Sequence, residues 1–94
     1  MTLQVSKWKV RDGSDLSEVG LAALAFCRAQ RGRTQVDGAR YYWAHPGEIW
    51  ILVEGEEELV LTSIRPLRVM LRYTISMNSL CNQRAFYSLT RGLA

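Results

Sequence analysis

After Glu58 the sequence contains no acidic residue. All nine carboxylates lie in residues 1–58 beside seven Lys and Arg, whereas residues 59–94 carry only Arg65, Arg68, Arg72, Arg84 and Arg91. Those arginines are spread out and form no dense basic tract of the kind that marks a nucleic-acid patch. Complementarity between the acidic stretch Glu54, Glu56, Glu57, Glu58 and arginines of the same or a partner chain is the simpler reading, and nucleic acid is disfavoured. Histidine is nearly absent, and the two cysteines, Cys27 and Cys81, stand far apart with no CxxC. One His and two remote Cys cannot build a usual zinc site, so no metal is expected. Gly-rich phosphate loops, a nucleophile elbow, paired-His motifs and EF-hand spacing are all missing. That excludes kinases, Ser-His-Asp hydrolases and zinc enzymes, and no cofactor is expected. No apolar run approaches the ~18–20 residues of a membrane span. The first ten residues, MTLQVSKWKV, lack the apolar core of a signal peptide, so a cytoplasmic location is expected.

What is present suits one folded domain over residues 1–94. The chain is 48% hydrophobic, 10% aromatic and 22% charged, which is enough to bury a core and too apolar for disorder. Cys27 falls on the apolar side of a predicted helix, where a free cysteine acts as a small hydrophobe. Both thiols are expected to be reduced and structural.

Residues 2–10 read as a strand. Leu3 and Val5 share one face and Trp8 and Val10 the other, which implies a bulge near Ser6 and Lys7 or burial on both sides. Asp15, with Glu18 three residues on, marks a helix start. Leu16, Val19, Ala23, Phe26 and Cys27 carry the helical period to about Arg31, with Gly32 as a left-handed stop. Residues 36–44 form a second strand and residues 48–54 a third, joined by the turn His45-Pro46-Gly47-Glu48. Glu56, Glu57 and Glu58 open a second helix with Leu59, Leu61, Ile64 and Leu67 on its apolar side and Pro66 as a kink. Residues 72–80 return to period two, with Tyr73, Ile75 and Met77 opposite Arg72, Thr74, Ser76 and Asn78, and read as a fourth strand. Asn82 then caps a short terminal helix over residues 83–91.

The order β-α-β-β-α-β predicts an α+β, ferredoxin-like fold: an antiparallel four-stranded sheet with both long helices on one face, plus the short C-terminal helix. The strands carry bulky residues in both alternations, Tyr41 and Trp43 against Tyr42, and Ile49 and Ile51 against Trp50 and Leu52. A sheet with one wet face would show a polar row there, so a second chain is expected to cover it.

The stretch GARYYWAHPGEIWILVEG resembles the dimeric α/β-barrel superfamily, which includes the antibiotic-biosynthesis monooxygenases. Gly38 matches the small residue at the opening of strand two; Tyr41, Tyr42 and Trp43 match the aromatic run; Glu54 matches the glutamate closing strand three. The resemblance implies a homodimer with two sheets packed face to face and a cavity between sheet and helices. Members include cofactor-independent oxygenases and haem-degrading enzymes. In the latter a histidine of the second helix binds iron, and this chain has none there. Oxygenase members place Asn, Trp and Tyr or Arg around a substrate that activates oxygen itself, with Asn78, Trp43 and Trp50 as the analogues here.

Eight side chains are candidates for a site. His45 belongs to the only side-chain type suited to acid–base work near neutrality, and Asn78 is the second catalytic candidate. Trp8, Tyr41, Trp43, Trp50, Arg72 and Tyr73 are candidates for binding a small apolar or aromatic ligand. The competing reading spends these aromatics on core and interface in a non-enzymatic structural or interaction protein. An RNA-recognition surface is a poor match, because strand three, EIWILVEG, lacks the basic and aromatic pattern of such motifs.

Overall fold

The computed structural model describes residues 1–56 and 68–90. Among the described residues, four strands and two helices run in the order β1 (Thr2–Val10), α1 (Leu16–Arg31), β2 (Val36–Ala44), β3 (Glu48–Gly55), α2 (Arg68–Leu80) and β4 (Cys81–Thr90). The strands form one antiparallel sheet in the order β2-β3-β1-β4. This is the ferredoxin-like βαββαβ arrangement.

Two elements differ from the sequence expectation. Residues 72–80 are helical, within α2, and residues 83–90 belong to strand β4 instead of a terminal helix. Among the described side chains of α2 the buried ones are Met70 and Met77, two turns apart, while Leu71 and Ile75 are 48% and 58% exposed. A strand would bury Ile75 with Met77; a helix separates them. With residues 72–80 in a helix, the fourth strand must come from the chain beyond Leu80, and Phe86, Tyr87 and Thr90 suit it. The helix start expected at Glu56–Glu58, with Pro66, lies outside the described residues. Gly32 does end α1, but with φ −76° it is right-handed, its N–H bonding to the Arg28 and Ala29 carbonyls at 3.2 Å. At the other end Asp15 caps α1 as expected, its carboxylate accepting from the Ser17 N–H at 2.9 Å.

The register sorts every strand residue onto one of two faces. Directly paired residues share a face, so Trp43, Ile49 and Trp8 form one row, and Tyr41, Ile51 and Ser6 the next. These rows face the helices. With Val19, Ala23 and Cys27 of α1 and Met77 of α2, they build the core, in which Ile49, Val19, Ala23, Met77 and Cys81 are wholly buried. The opposite face carries Arg40 and Tyr42 of β2, Trp50, Leu52 and Glu54 of β3, Leu3, Val5 and Lys7 of β1, and Tyr87 and Leu89 of β4. No described element covers it. Leu3 and Val5 therefore point away from Trp8 by plain alternation along β1. The irregularity sits opposite Lys7 and Trp8, where β4 takes up the extra residue Arg84.

Candidate functional site

A groove of about 480 Å³ opens where the first turn of α1 meets the end of β2 and the β2–β3 turn. Its lining is Leu16, Ser17, Trp43, Ala44, His45 and Gly47. The size falls within the ~300–1,000 Å³ of small-molecule sites. Gly47, at φ +65°, lets the turn reverse tightly and leaves the groove mouth free of a side chain there. Trp43 forms the wall. Its indole is 43% exposed, and its Cζ2 lies over Gly20 of α1, where an added Cβ would sit 3.7 Å away. A flat apolar ring could stack on this indole, with the exposed His45 at the rim.

The other candidates are dispersed. Trp8 is 2% exposed in the core, its indole N–H donating to Ser6 Oγ at 2.9 Å. Tyr41 is half-buried on the helix side, one row from Trp43. Trp50 is on the opposite face, beneath the Lys7 ammonium at 4.1 Å from the ring centroid. Its buried Nε1 has no acceptor. Arg72, Tyr73 and Asn78 belong to α2 and not to a sheet strand. The Arg72 guanidinium sits 5.1 Å from the Tyr73 ring. The exposed Asn78 offers its backbone carbonyl to Arg11. Of the eight candidates, then, the groove brings together Trp43 and His45.

Sequence reasoning passed over one feature of β1. Thr2, Gln4 and Ser6 share the helix-facing side with Trp8 and are 0%, 7% and 7% exposed. The signal was available: polar residues alternate at positions 2, 4 and 6, in phase with a tryptophan. The Thr2 hydroxyl is buried with no hydrogen-bond partner. Neither thiol is a nucleophile in this setting. Burial pushes the Cys27 thiol up to about 11 against the opposing pull of Arg31, and burial also raises Cys81. Among the described residues no three His, Cys, Asp or Glu side chains gather to hold a metal ion. None of the described helices is long and apolar enough to cross a membrane.

No protein-family model and no curated protein matches the sequence. Solved structures do match in shape. SnoaB from Streptomyces nogalater, a cofactor-independent oxygenase, superposes with a TM-score of 0.82 at 6% identity, covering 99% of this chain and 94% of that one. Rv0793 from Mycobacterium tuberculosis gives 0.78 at 15% identity, covering 99% and 96%. An antibiotic biosynthesis monooxygenase gives 0.74 at 9% identity, covering 100% and 99%. The chain has the fold of the antibiotic-biosynthesis-monooxygenase-type proteins. At such low identity the likeness concerns the ferredoxin-like fold, and the residues of the site must carry any functional argument.

Proposed function

We propose that the chain works as a homodimeric α/β barrel that binds a small aromatic molecule on the helix side of each sheet and oxygenates it without a resident cofactor. The Trp43 groove is the observation that carries this reading. It offers a partly exposed indole wall, apolar neighbours and one histidine at the rim, which suits a flat ring held by stacking. The homodimer is supported by the uncovered sheet face, where Tyr42, Tyr87 and Leu89 are each about half exposed beside Trp50 and Leu52. An apolar row of that kind on an antiparallel sheet favours a second sheet packed against it.

Oxygenation of this type draws its electrons from the substrate. Deprotonation of an activated methylene gives a carbanion that reduces dioxygen to a hydroperoxide, and loss of water leaves a ketone. In sum, the methylene and one dioxygen molecule become one ketone and one water: both C–H bonds break, one oxygen atom enters the carbonyl, and the other leaves with the two hydrogens. The chain's part is to stack the ring on Trp43 and accept the methylene proton at the His45 imidazole. A suitable test compound is anthrone, whose doubly benzylic methylene is acidified by its carbonyl.

Titration of indole fluorescence with anthrone, paired with oxygen-electrode measurements, tests the reading. Wild type is expected to bind and to consume one dioxygen per ketone above the uncatalysed rate. Trp43→Ala should bind about tenfold less tightly or worse, and His45→Gln should bind normally with slowed uptake. Absence of binding would overturn the reading. Binding without oxygen uptake would leave a ligand-binding protein and remove the enzyme.

A further inference from the structure

Charge is unevenly placed on the uncovered sheet face. Lys7 stands on β1 level with Trp50 of β3, and Glu54 stands on β3 level with Leu3 of β1. The two levels are four strand residues, ~13 Å, apart, and the pair Val5 and Leu52 lies midway between them. Lys9, nearer the strand end, has Glu48 opposite it on β3. Among the described residues Lys7 has no carboxylate. Its ammonium lies instead over two rings, 4.1 Å from the Trp50 centroid and 5.5 Å from that of Tyr87. The rings hold the charge on the face without neutralising it. Glu54 is the converse: Arg40 engages only its Oε1, at 2.6 Å, and Oε2 is left for a second donor.

Two copies of this sheet packed face to face are related by a two-fold axis lying between them. An axis running along the strands sets each level against the same level and lays β1 over β3 of the second copy. Lys7 then comes opposite the second Lys7, and Glu54 opposite the second Glu54. An axis running across the strands at Val5 and Leu52 inverts the levels and lays β1 over the second β1. Lys7 then comes to the level of Leu3 and Glu54 in the second copy. In both cases the two backbones differ by the ~10 Å between sheets and one strand spacing of ~4.8 Å, a gap that two long side chains close together. The first arrangement desolvates like charges against each other, and the second pairs opposite ones. A buried charge is tolerated only when paired, so the inverted arrangement is favoured. Arg40 is 60% exposed at the sheet edge, where its own Glu54 already balances it.

We propose that the two copies pack with their strand levels inverted about Val5 and Leu52, each Lys7 pairing with Glu54 of the second copy. This rests on the homodimer reading and adds the orientation of the two chains and the contact that sets it. Val5 and Leu52 meet their own counterparts at the centre, with one ion pair on either side. The arrangement also places the site. Trp43 shares a row with Ile49 and Trp8, next to the Lys7 level, so inverted levels open the two Trp43 grooves at opposite ends of the barrel. Matched levels would open both at the same end.

The experiment measures dimer dissociation by sedimentation equilibrium for wild type, Lys7→Glu, Glu54→Lys, the double variant and Lys7→Gln, with circular dichroism as the check on folding. Each single charge reversal breaks both symmetry-related pairs and should weaken the dimer about tenfold or more, while the double variant restores it. Lys7→Gln, which keeps a polar side chain and drops the charge, should also dissociate more readily than wild type. Matched levels give the opposite sign, because Lys7→Gln would then relieve a repulsion and tighten the dimer. A tighter Lys7→Gln dimer, reversals as tight as wild type, or a folded double variant that fails to recover would overturn the orientation and leave the homodimer standing. Wild type that sediments as a monomer would remove the homodimer and this pairing together.

Discussion

Arg11 closes the C-terminal end of α2 through Asn78: its Nε and Nη2 both donate to the Asn78 carbonyl oxygen, at 3.1 and 2.9 Å. Leu80 runs straight into Cys81 of β4, so α2 has no loop of its own to satisfy its last carbonyls. The β1–α1 connection does it instead, with Ser14 Oγ and the Arg11 N–H both reaching the Leu80 carbonyl at 3.0 Å. A guanidinium there also sits at the negative end of the helix dipole. Arg11→Ala is therefore expected to cost about 1–2 kcal/mol, lowering the melting temperature by ~5–15 °C in circular-dichroism melts. Arg11→Lys should recover only part, since one ammonium cannot present the paired guanidinium donors. An unchanged melting temperature in Arg11→Ala would show the cap to be dispensable.

The same junction shows where the sequence was legible. β1, α1 and the β2–β3 hairpin each carry a local signal: alternation, an Asp15 cap with helical spacing, and a Pro-Gly turn between dense β-formers. Residues 72–80 carry two signals at once. Tyr73, Ile75 and Met77 satisfy period two, while Met70, Tyr73, Met77 and Leu80 satisfy the helical period. Only tertiary placement against α1 and the Arg11 cap decides between them. The site divides in the same way. Trp43 and His45 were read separately, one as a ligand wall and one as an acid–base candidate, and only the packing of α1 against the β2–β3 turn brings them to one groove, just as Trp50 and Trp8 were separated only once the β1–β3 register assigned the faces. Thr2, Gln4 and Ser6 were overlooked because polar strand residues are ordinarily solvent-facing.

Cys27 sets an alkaline limit on stability. Its thiol stays protonated up to about 11 in the folded chain, against an ordinary 9.0. Below pH 9 both folded and unfolded forms hold the proton and nothing is lost. Between pH 9 and about 11 the unfolded chain ionises first, so folding stability falls as pH rises. Denaturant midpoints measured from pH 8 to 11 should drop for wild type more steeply than for Cys27→Ala. Below pH 9 the variant itself should be less stable, because it leaves a small void beside Val19 and Ala23. Equal slopes would place the alkaline loss elsewhere.

Gly20 is a position at which the chain can be stabilised. An added Cβ would meet Trp43 Cζ2 at 3.7 Å, an ordinary van der Waals contact, and Gly20 lies within a regular helix. Gly20→Ala should therefore gain about 0.5–1 kcal/mol from helix propensity, read as a higher denaturant midpoint. The extra methyl also buttresses the groove wall, so anthrone affinity is expected to hold or improve. A lower midpoint would mean that Trp43 needs the space over Gly20.

The sheet faces decide which substitutions report on assembly. Ile51 is 1% exposed among the helix-facing core residues, so Ile51→Ala should cost about 2–5 kcal/mol in stability without addressing the interface. Leu52, its neighbour in sequence, points to the uncovered face along with Trp50 and Tyr87. Lys7 crosses that face in the middle, its ammonium 4.1 Å from the Trp50 ring and 5.5 Å from the Tyr87 ring, which shields its charge with aromatic faces supplied by the same chain. With that charge so placed, the surrounding surface is apolar enough for sheet-to-sheet packing. Light scattering at micromolar concentration should give a dimer for wild type and for Trp43→Ala. Leu52→Asp should give a monomer that stays folded by circular dichroism, because the new carboxylate, partly open to water in the single chain, would be fully desolvated in the dimer. Wild-type protein that runs as a monomer would remove the barrel and leave the Trp50–Lys7–Tyr87 face as a surface in contact with water.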